Sequence, residues 1–209
     1  SRDIPESMLE AADHLHFGYP PLMSRMVANN GNELLSLFKR AKLLGLSTSL
    51  DMAAIDPASP AGQLDWRGIL SRVLPYVDFF VPSIEELCFM LDRPRYQQWL
   101  QRAGENEITR ILDPEADIAP LAEDCIALGA KAVLLKCGAP GMFLRTADES
   151  ALASVGGRAA IDPAAWASQR FFQRSYRPAK VLSGTGAGDT SIAAFLLAML
   201  QGNRSEEHT

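Results

Sequence analysis

Short apolar runs alternate with segments of helical periodicity along most of this 209-residue chain. A strand followed by a helix, repeated, predicts βα units that build a mostly parallel sheet with helices on both faces. Ligands of such sheets bind beyond the carboxyl ends of the strands. We therefore expect one three-layer α/β/α domain over residues 1–209. The predicted strands are 13–17, 46–51, 77–81, 132–135 and one starting at 143–144, and the predicted helices are 33–44, 84–91, 120–128 and 187–201.

Two segments have weaker periodicity. Residues 92–117 are polar, which predicts a helical excursion on the surface between core elements. Residues 148–178 predict edge strands and loops.

Composition limits the classes of partner. The chain has 20 basic and 25 acidic residues, a net charge of −5, and no basic run, so it lacks the electrostatic footprint of a nucleic-acid-binding protein. Its longest apolar stretch, 192–200, is too short to span a bilayer. The three scattered cysteines predict reduced thiols and a cytoplasmic protein. Because the chain starts at Ser1 and a polar tail follows its most apolar helix, we expect it to be part of a longer protein.

The most informative segment is 183–189, Ser-Gly-Thr-Gly-Ala-Gly-Asp, which leads directly into an apolar helix. Small residues let the backbone approach a ligand, and the amides at a helix start favour bound negative charge. Phosphoryl transfer needs such donors together with a carboxylate that deprotonates the incoming hydroxyl, and Asp189 is placed for that role. The alternative is a glycine-rich turn in which Asp189 only complements the helix dipole.

Three segments, taken together, carry a family resemblance. The Gly-Ala-Gly-Asp of 186–189 is followed by Ala-Ala-Phe-Leu at 193–196. Residues 81–87 read Val-Pro-Ser-Ile-Glu-Glu-Leu, and 136–141 read Lys-Cys-Gly-Ala-Pro-Gly. In order and rough spacing these are similar to the C-terminal signature, the Pro-Asn-x-x-Glu segment and the Gly-x-x-Gly turn of the PfkB/ribokinase family. The resemblance covers most of the chain and implies a ribokinase-like fold.

The resemblance also implies an activity and roles for individual residues. It implies an ATP- and Mg²⁺-dependent kinase that phosphorylates a hydroxyl of a sugar or a related small molecule. Asp189 is then the catalytic base, and the amides of Gly186, Ala187 and Gly188 form the anion hole. The nucleotide-binding residues that it implies are Lys136, Gly138, Gly141, Thr185 and Ser83.

The chain departs from the family pattern at two serines. Ser83 replaces the usual Asn, whereas Glu86 keeps its place and is the implied Mg²⁺ residue, acting through water. Ser83 and Glu86 equally fit a capping box, which needs no metal. Ser183 stands where the family commonly has an Asp that helps bind a monovalent cation, which makes potassium activation doubtful because a hydroxyl is a poorer ligand for a hard cation.

Four polar residues of the predicted strands also need an interpretation. Lys136 ends a buried strand and either approaches phosphate as a point charge or keeps its head in water. Asp51 ends another strand, where it is either a site residue or a turn residue. His14 and His16 share one strand face with no third ligand, and we interpret them as structural.

The resemblance also indicates what this chain lacks. Family members carry an N-terminal part with a lid and most acceptor-binding residues, and nothing here corresponds to it. The lid often forms a homodimer in the family. A nucleoside is the next acceptor to consider, and a non-catalytic regulator that binds nucleotide or sugar is the alternative from another class. A Rossmann dehydrogenase is disfavoured because no Gly-x-Gly-x-x-Gly turn follows an early strand.

Overall fold

The computed structural model describes residues 3–157, 159, 161–176, 179–180 and 184–202. The strands β1 to β6 in this part of the chain are His14–Phe17, Ser47–Leu50, Phe79–Phe80, Ala132–Lys136, Gly141–Thr146 and Arg170–Arg174. The helices α1 to α9 are Glu6–Glu10, Ser24–Leu43, Trp66–Val73, Ile84–Leu91, Arg93–Ala103, Ala119–Ala127, Glu149–Leu152, Pro163–Trp166 and Ala187–Leu200.

The described strands form one sheet in the order β1-β2-β3-β4-β5-β6. The strands from β1 to β4 pair in parallel, and β5 and β6 continue the sheet in antiparallel pairs. The predicted mostly parallel α/β sheet is therefore confirmed. Strand β4 is the boundary, since it is parallel to β3 on one side and antiparallel to β5 on the other.

Alternating side chains of the central strands point into two separate cores. Phe80 and Val133 are fully buried in the larger core, which includes residues of α2 to α6. Phe79 and Leu134 point to the opposite face and pack with α9. This alternation is the period-two geometry of strands. The sheet is therefore the middle layer of a three-layer sandwich, as predicted.

Helix α9 covers one face of the sheet with a single stripe of its surface. Ile192, Leu196 and Met199 are buried at helical spacing against β3 to β5. On its other side Leu197 is 57% exposed. Among the described residues, no helix has the length and apolar character needed to cross a membrane.

The structure corrects the expectation for 92–117. The segment is largely helical, but it is not a surface excursion, because Trp99 is only 1% exposed and lies in the larger core with Ile108. The Trp99 indole also donates to Asp117, which is buried. The buried face of α5 is narrow, and the charged residues around it make the segment look like a surface segment in the sequence.

The predicted helix 33–44 is the second half of a longer, interrupted helix. Helix α2 is broken at 28–31, where Asn29, Asn30 and Gly31 have positive φ. A Cβ on Gly31 would lie 2.8 Å from Cγ2 of Ile69 in α3, so the break is also a site of close helix packing.

A buried carboxylate links the parallel strands to the helix that packs against them. The Asp78 side chain has no exposed surface and accepts two bonds from Nζ of Lys42 in α2, at 2.8 and 2.9 Å. It also accepts from the backbone amides of Thr48 at 3.0 Å and Gly156 at 3.4 Å. A buried charge is tolerated only with such partners. Asp78 therefore joins α2, β2, β3 and the segment after α7.

We expect Asp78→Asn to lower the free energy of unfolding by about 3 kcal/mol, because Lys42 loses its carboxylate while remaining mostly buried. The matched control is Asp124→Asn, whose partner Arg67 is 51% exposed, and it should change stability by less than about 0.5 kcal/mol. Urea titration of both variants measures the difference. Equal losses in the two variants would contradict the anchoring role of Asp78.

Candidate active site

A pocket of about 550 Å³ lies beyond the carboxyl ends of β2 and β4, between the first turns of α4 and α9. It is on the edge where parallel sheets bind ligands. It brings together seven residues that the sequence singled out: Ser83, Glu86, Lys136, Gly138, Gly186, Gly188 and Asp189. Thr185, Ala187 and Gly141 are described but do not line it. Ser183 lies outside the described residues.

The first turn of α9 is built by a left-handed glycine. Gly186 is the N-cap residue with φ 77°, and a Cβ there would meet no atom within 4 Å, so glycine is favoured by the backbone angle rather than by crowding. The amide of Ala187 donates to the Gly184 carbonyl at 3.2 Å, which uses this amide within the turn. Asp189 lies in the same turn and is exposed to the pocket.

Lys136 is held in an ion pair at the base of the pocket. Its ammonium donates to both carboxylate oxygens of Asp51, at 2.7 and 2.6 Å. The side chains are 15% and 3% exposed, so the interpretation of Lys136 as a lysine with its head in water is wrong. Burial raises the pKa of Asp51, and the neighbouring Lys136 acts in the opposite direction. A Cβ on Gly188 would lie 4.0 Å from the Lys136 ammonium, so the pair sits close beneath α9.

The turn between β4 and β5 needs glycine at two positions. Gly138 has φ 61° and Gly141 has φ 147°, and the Gly141 amide donates to the Gly138 carbonyl at 3.3 Å. A Cβ on Gly141 would lie 2.1 Å from the carbonyl oxygen of Gln173 in β6. The requirement at Gly141 therefore comes from strand packing, whereas Gly138 faces the pocket.

Ser83 and Glu86 form the capping box of α4. The Ser83 amide donates to Oε2 of Glu86 at 2.9 Å, and the Glu86 amide donates to the Ser83 hydroxyl at 3.2 Å. Glu85 and Glu107 line the same side of the pocket. Within the described residues, no group of three or more His, Cys, Asp or Glu side chains could hold a metal ion by itself. This donor set fits a Mg²⁺ ion that keeps waters and shares phosphate oxygens, as Mg²⁺ commonly does.

The two histidines of β1 are held by serines of β2. His14 contacts the hydroxyls of Ser47 and Ser49, and His16 contacts Ser49, each at 2.7 Å. Burial lowers the pKa of His14 to about 4 and also lowers that of His16, which Lys136 lowers further. These contacts agree with a structural interpretation of the pair.

Tyr19 is the site residue that sequence reasoning missed. It follows the carboxyl end of β1, and its hydroxyl donates to Oδ1 of Asp189. This hydrogen bond is the main cause that raises the pKa of Tyr19 to about 12. The available signal was an aromatic residue directly after a strand-ending glycine, at the edge where ligands bind.

Comparisons with known proteins place the fold. The chain is similar to ribokinase of Arabidopsis thaliana complexed with ribose and ATP (TM-score 0.59, 22% identity, 97% of this chain and 47% of that chain). It is also similar to a fructokinase with bound ATP from Xylella fastidiosa (TM-score 0.62, 14% identity, 96% and 48%). A third similar structure is a putative ribokinase II from E. coli in complex with ATP and Mg²⁺ (TM-score 0.50, 22% identity, 94% and 49%). At these identities the likeness establishes a ribokinase-like fold.

The coverage of these matches also shows how the length of this chain compares with the lengths of the solved structures. The chain spans about half the length of these solved structures. A search of curated proteins found no match. Residues 2–209 match the family described as pfkB family carbohydrate kinase, and the chain belongs to that family.

Proposed function

We propose that the protein is an ATP-dependent kinase that phosphorylates a hydroxyl of a sugar or a related small molecule. One observation carries the proposal. The exposed carboxylate of Asp189 and the glycines of the turn before it line one pocket at the start of a helix. A carboxylate beside the amides of a helix start is the arrangement that phosphoryl transfer requires, which supports these roles for Asp189 and the glycine turn. Membership of a carbohydrate kinase family supports the same activity.

In this proposal Asp189 accepts the proton of the acceptor hydroxyl. The hydroxyl oxygen forms a bond to the γ-phosphorus while the bond to the bridging oxygen of ADP breaks, so one proton moves to Asp189 and ADP leaves. The turn from Gly186 to Gly188 directs its backbone toward the transferring group, whose charge the positive end of α9 also stabilises. Because the Ala187 amide donates to Gly184, its participation requires a small opening of the turn.

The remaining proposed roles belong to residues on the side of the pocket where ATP would bind. Lys136 supplies positive charge from its ion pair with Asp51, as a point charge and not as a free hydrogen-bonding arm. Gly138 lets the β4–β5 turn approach the nucleotide, and Thr185 lies beside the anion site. Glu86 would hold Mg²⁺ through water, and bound Mg²⁺ would neutralise phosphate charge. One similar structure contains ATP and Mg²⁺, and two others contain ATP.

The acceptor class is a separate part of the proposal. A sugar is preferred because similar structures are named ribokinase and fructokinase, and one of them contains ribose. A nucleoside is the second candidate. A binding protein without catalysis is the alternative from another class, and it has less need for a carboxylate at position 189.

The first prediction concerns the base. In the full-length protein, we expect Asp189→Asn to lower kcat about 1,000-fold while ATP affinity changes by less than about twofold, since only proton transfer loses its acceptor. The measurement is ADP release with Mg²⁺-ATP and a panel of sugars and nucleosides, with ATP binding by calorimetry. Asp148→Asn, an exposed acid that caps α7 away from the pocket, is the control and should keep wild-type turnover.

Each other outcome has a distinct meaning. Turnover that survives Asp189→Asn would show that the base is elsewhere. ATP binding without acceptor-dependent turnover, for every acceptor tested, would favour the binding protein.

The second prediction separates the two roles of Glu86. Glu86→Gln keeps an oxygen that can accept from the Ser83 amide, so stability should change by less than about 0.5 kcal/mol. The same variant should raise the Mg²⁺ concentration for half-maximal turnover about tenfold, because the carboxylate charge is lost. Glu86→Ala removes both and should lower the free energy of unfolding by about 1 kcal/mol as well. An unchanged Mg²⁺ requirement in Glu86→Gln would reduce Glu86 to its capping role.

A further inference from the structure

Tyr19 crosses from the end of β1 to the first turn of α9, 170 residues away along the chain, and donates a hydrogen bond to Asp189. The contact engages one carboxylate oxygen, Oδ1. We propose that Tyr19 is the positioning residue of the candidate base, whose hydroxyl holds Oδ1 of Asp189 so that Oδ2 faces the acceptor hydroxyl. This inference rests on the proposed kinase function and adds a residue to it.

The backbone of Tyr19 adopts an unfavourable conformation. Tyr19 has φ 63° and ψ 41°, the left-handed region, and it directly precedes Pro20. That region is unfavourable for a bulky residue, and helical angles before a proline are disfavoured too. The other non-glycine residues with positive φ in the described chain are Asn29, Asn30 and Ser168, which are small or polar. Strain of this kind persists where the surrounding structure requires it and is frequent at functional sites.

The residues after Tyr19 fix this conformation. Pro20 and Pro21 are buried and start a short 3₁₀ turn, and the Leu22 amide donates to the Tyr19 carbonyl at 3.0 Å. The loop therefore presents the phenol from a constrained backbone. A constrained donor is what an exposed carboxylate needs in order to keep one orientation, since Asp189 sits on the open side of its helix turn.

The chemistry of the pair suits a positioning role. A carboxylate has two oxygens with about four lone-pair sites, so it can accept from Tyr19 and from an acceptor hydroxyl at the same time. The phenol stays protonated, and hence remains a donor, throughout the neutral range, since the ordinary pKa of tyrosine is about 10. The hydrogen bond to Asp189 raises the pKa of Tyr19 further, to about 12. Asp51 and Glu86 act on Tyr19 in the same direction. Lys136 and His16 lie on the neighbouring strands, and Glu85 and Glu107 line the same pocket.

The test compares Tyr19→Phe with wild type in the full-length protein. The variant keeps the ring and the backbone and removes only the hydroxyl. We expect kcat to fall about tenfold with the KM for ATP unchanged. A misplaced base slows proton transfer from the acceptor hydroxyl but does not affect the binding of ATP. Tyr176→Phe is the matched control, since Tyr176 is 79% exposed and lies outside this pocket, and it should behave as wild type.

The separation of kcat from KM provides a readout that a purely structural role would not move, because a general loss of structure would also weaken ATP binding. Fluorine NMR of protein labelled with 3-fluorotyrosine tests the contact without turnover, and the Tyr19 signal should titrate at lower pH in Asp189→Asn than in wild type.

Three results would overturn the inference. An unchanged kcat in Tyr19→Phe, with Asp189→Asn inactive, would leave the kinase proposal standing and remove Tyr19 from it. A faster Tyr19→Phe enzyme would show that the phenol obstructs the base. Phosphate found on Tyr19 by mass spectrometry after incubation with Mg²⁺-ATP would make it an acceptor and not a positioning residue. Activity retained in Asp189→Asn would instead contradict the proposed base itself.

Discussion

The ammonium of Lys136 brings a positive charge to the edge of the sheet where β2 and β4 end, and the carboxylate of Asp51 compensates it there. Two charges this well buried are stable only together, so the strand ends are tied at a fixed spacing. Helix α9 begins close to the pair, since a Cβ placed on Gly188 would lie 3.7 Å from Cδ of Lys136. The parallel order of β2 to β4 brings the two strand ends together, and the pair lies beside the start of α9.

Three acids around the pocket illustrate how environment separates structural from chemical roles. Asp51 is buried and bound to Lys136, and Glu86 is bound to Ser83 in a capping box. Both oxygens of Asp51 accept from Lys136, and Oε2 of Glu86 accepts from the Ser83 amide. Asp189 is the exposed one of the three, lies beside the glycine turn, and contacts a neutral phenol. A group that must exchange a proton with a substrate needs this access, which is why we propose Asp189 as the base.

Local patterns in the sequence were sufficient for what is local in the structure. Helix α4 has its predicted bounds, α9 begins at Ala187 as predicted, and the capping box was one of two interpretations of Ser83 and Glu86. What the sequence missed depends on distant contacts. The burial of Trp99 is masked by charged neighbours, and the Tyr19–Asp189 contact joins residues 170 positions apart. The location of the Lys136 head depends on Asp51, which lies on another strand, so residue types alone left it open.

The charge balance of the pocket gives the proposed nucleotide site its strongest physical constraint. Glu85, Glu86, Glu107 and Asp189 line it, and Lys136, the lining cation among the described residues, is already compensated by Asp51. The accumulation of negative charge is evident at Glu85, whose pKa is raised by burial and by the charges of Glu86 and Glu107. A triphosphate entering this pocket adds several negative charges to an acidic wall, and the helix dipole of α9 offsets only about half of one. We therefore expect a divalent cation to support ATP binding as well as chemistry, because the described lining side chains offer only the positive charge of Lys136, which Asp51 already offsets.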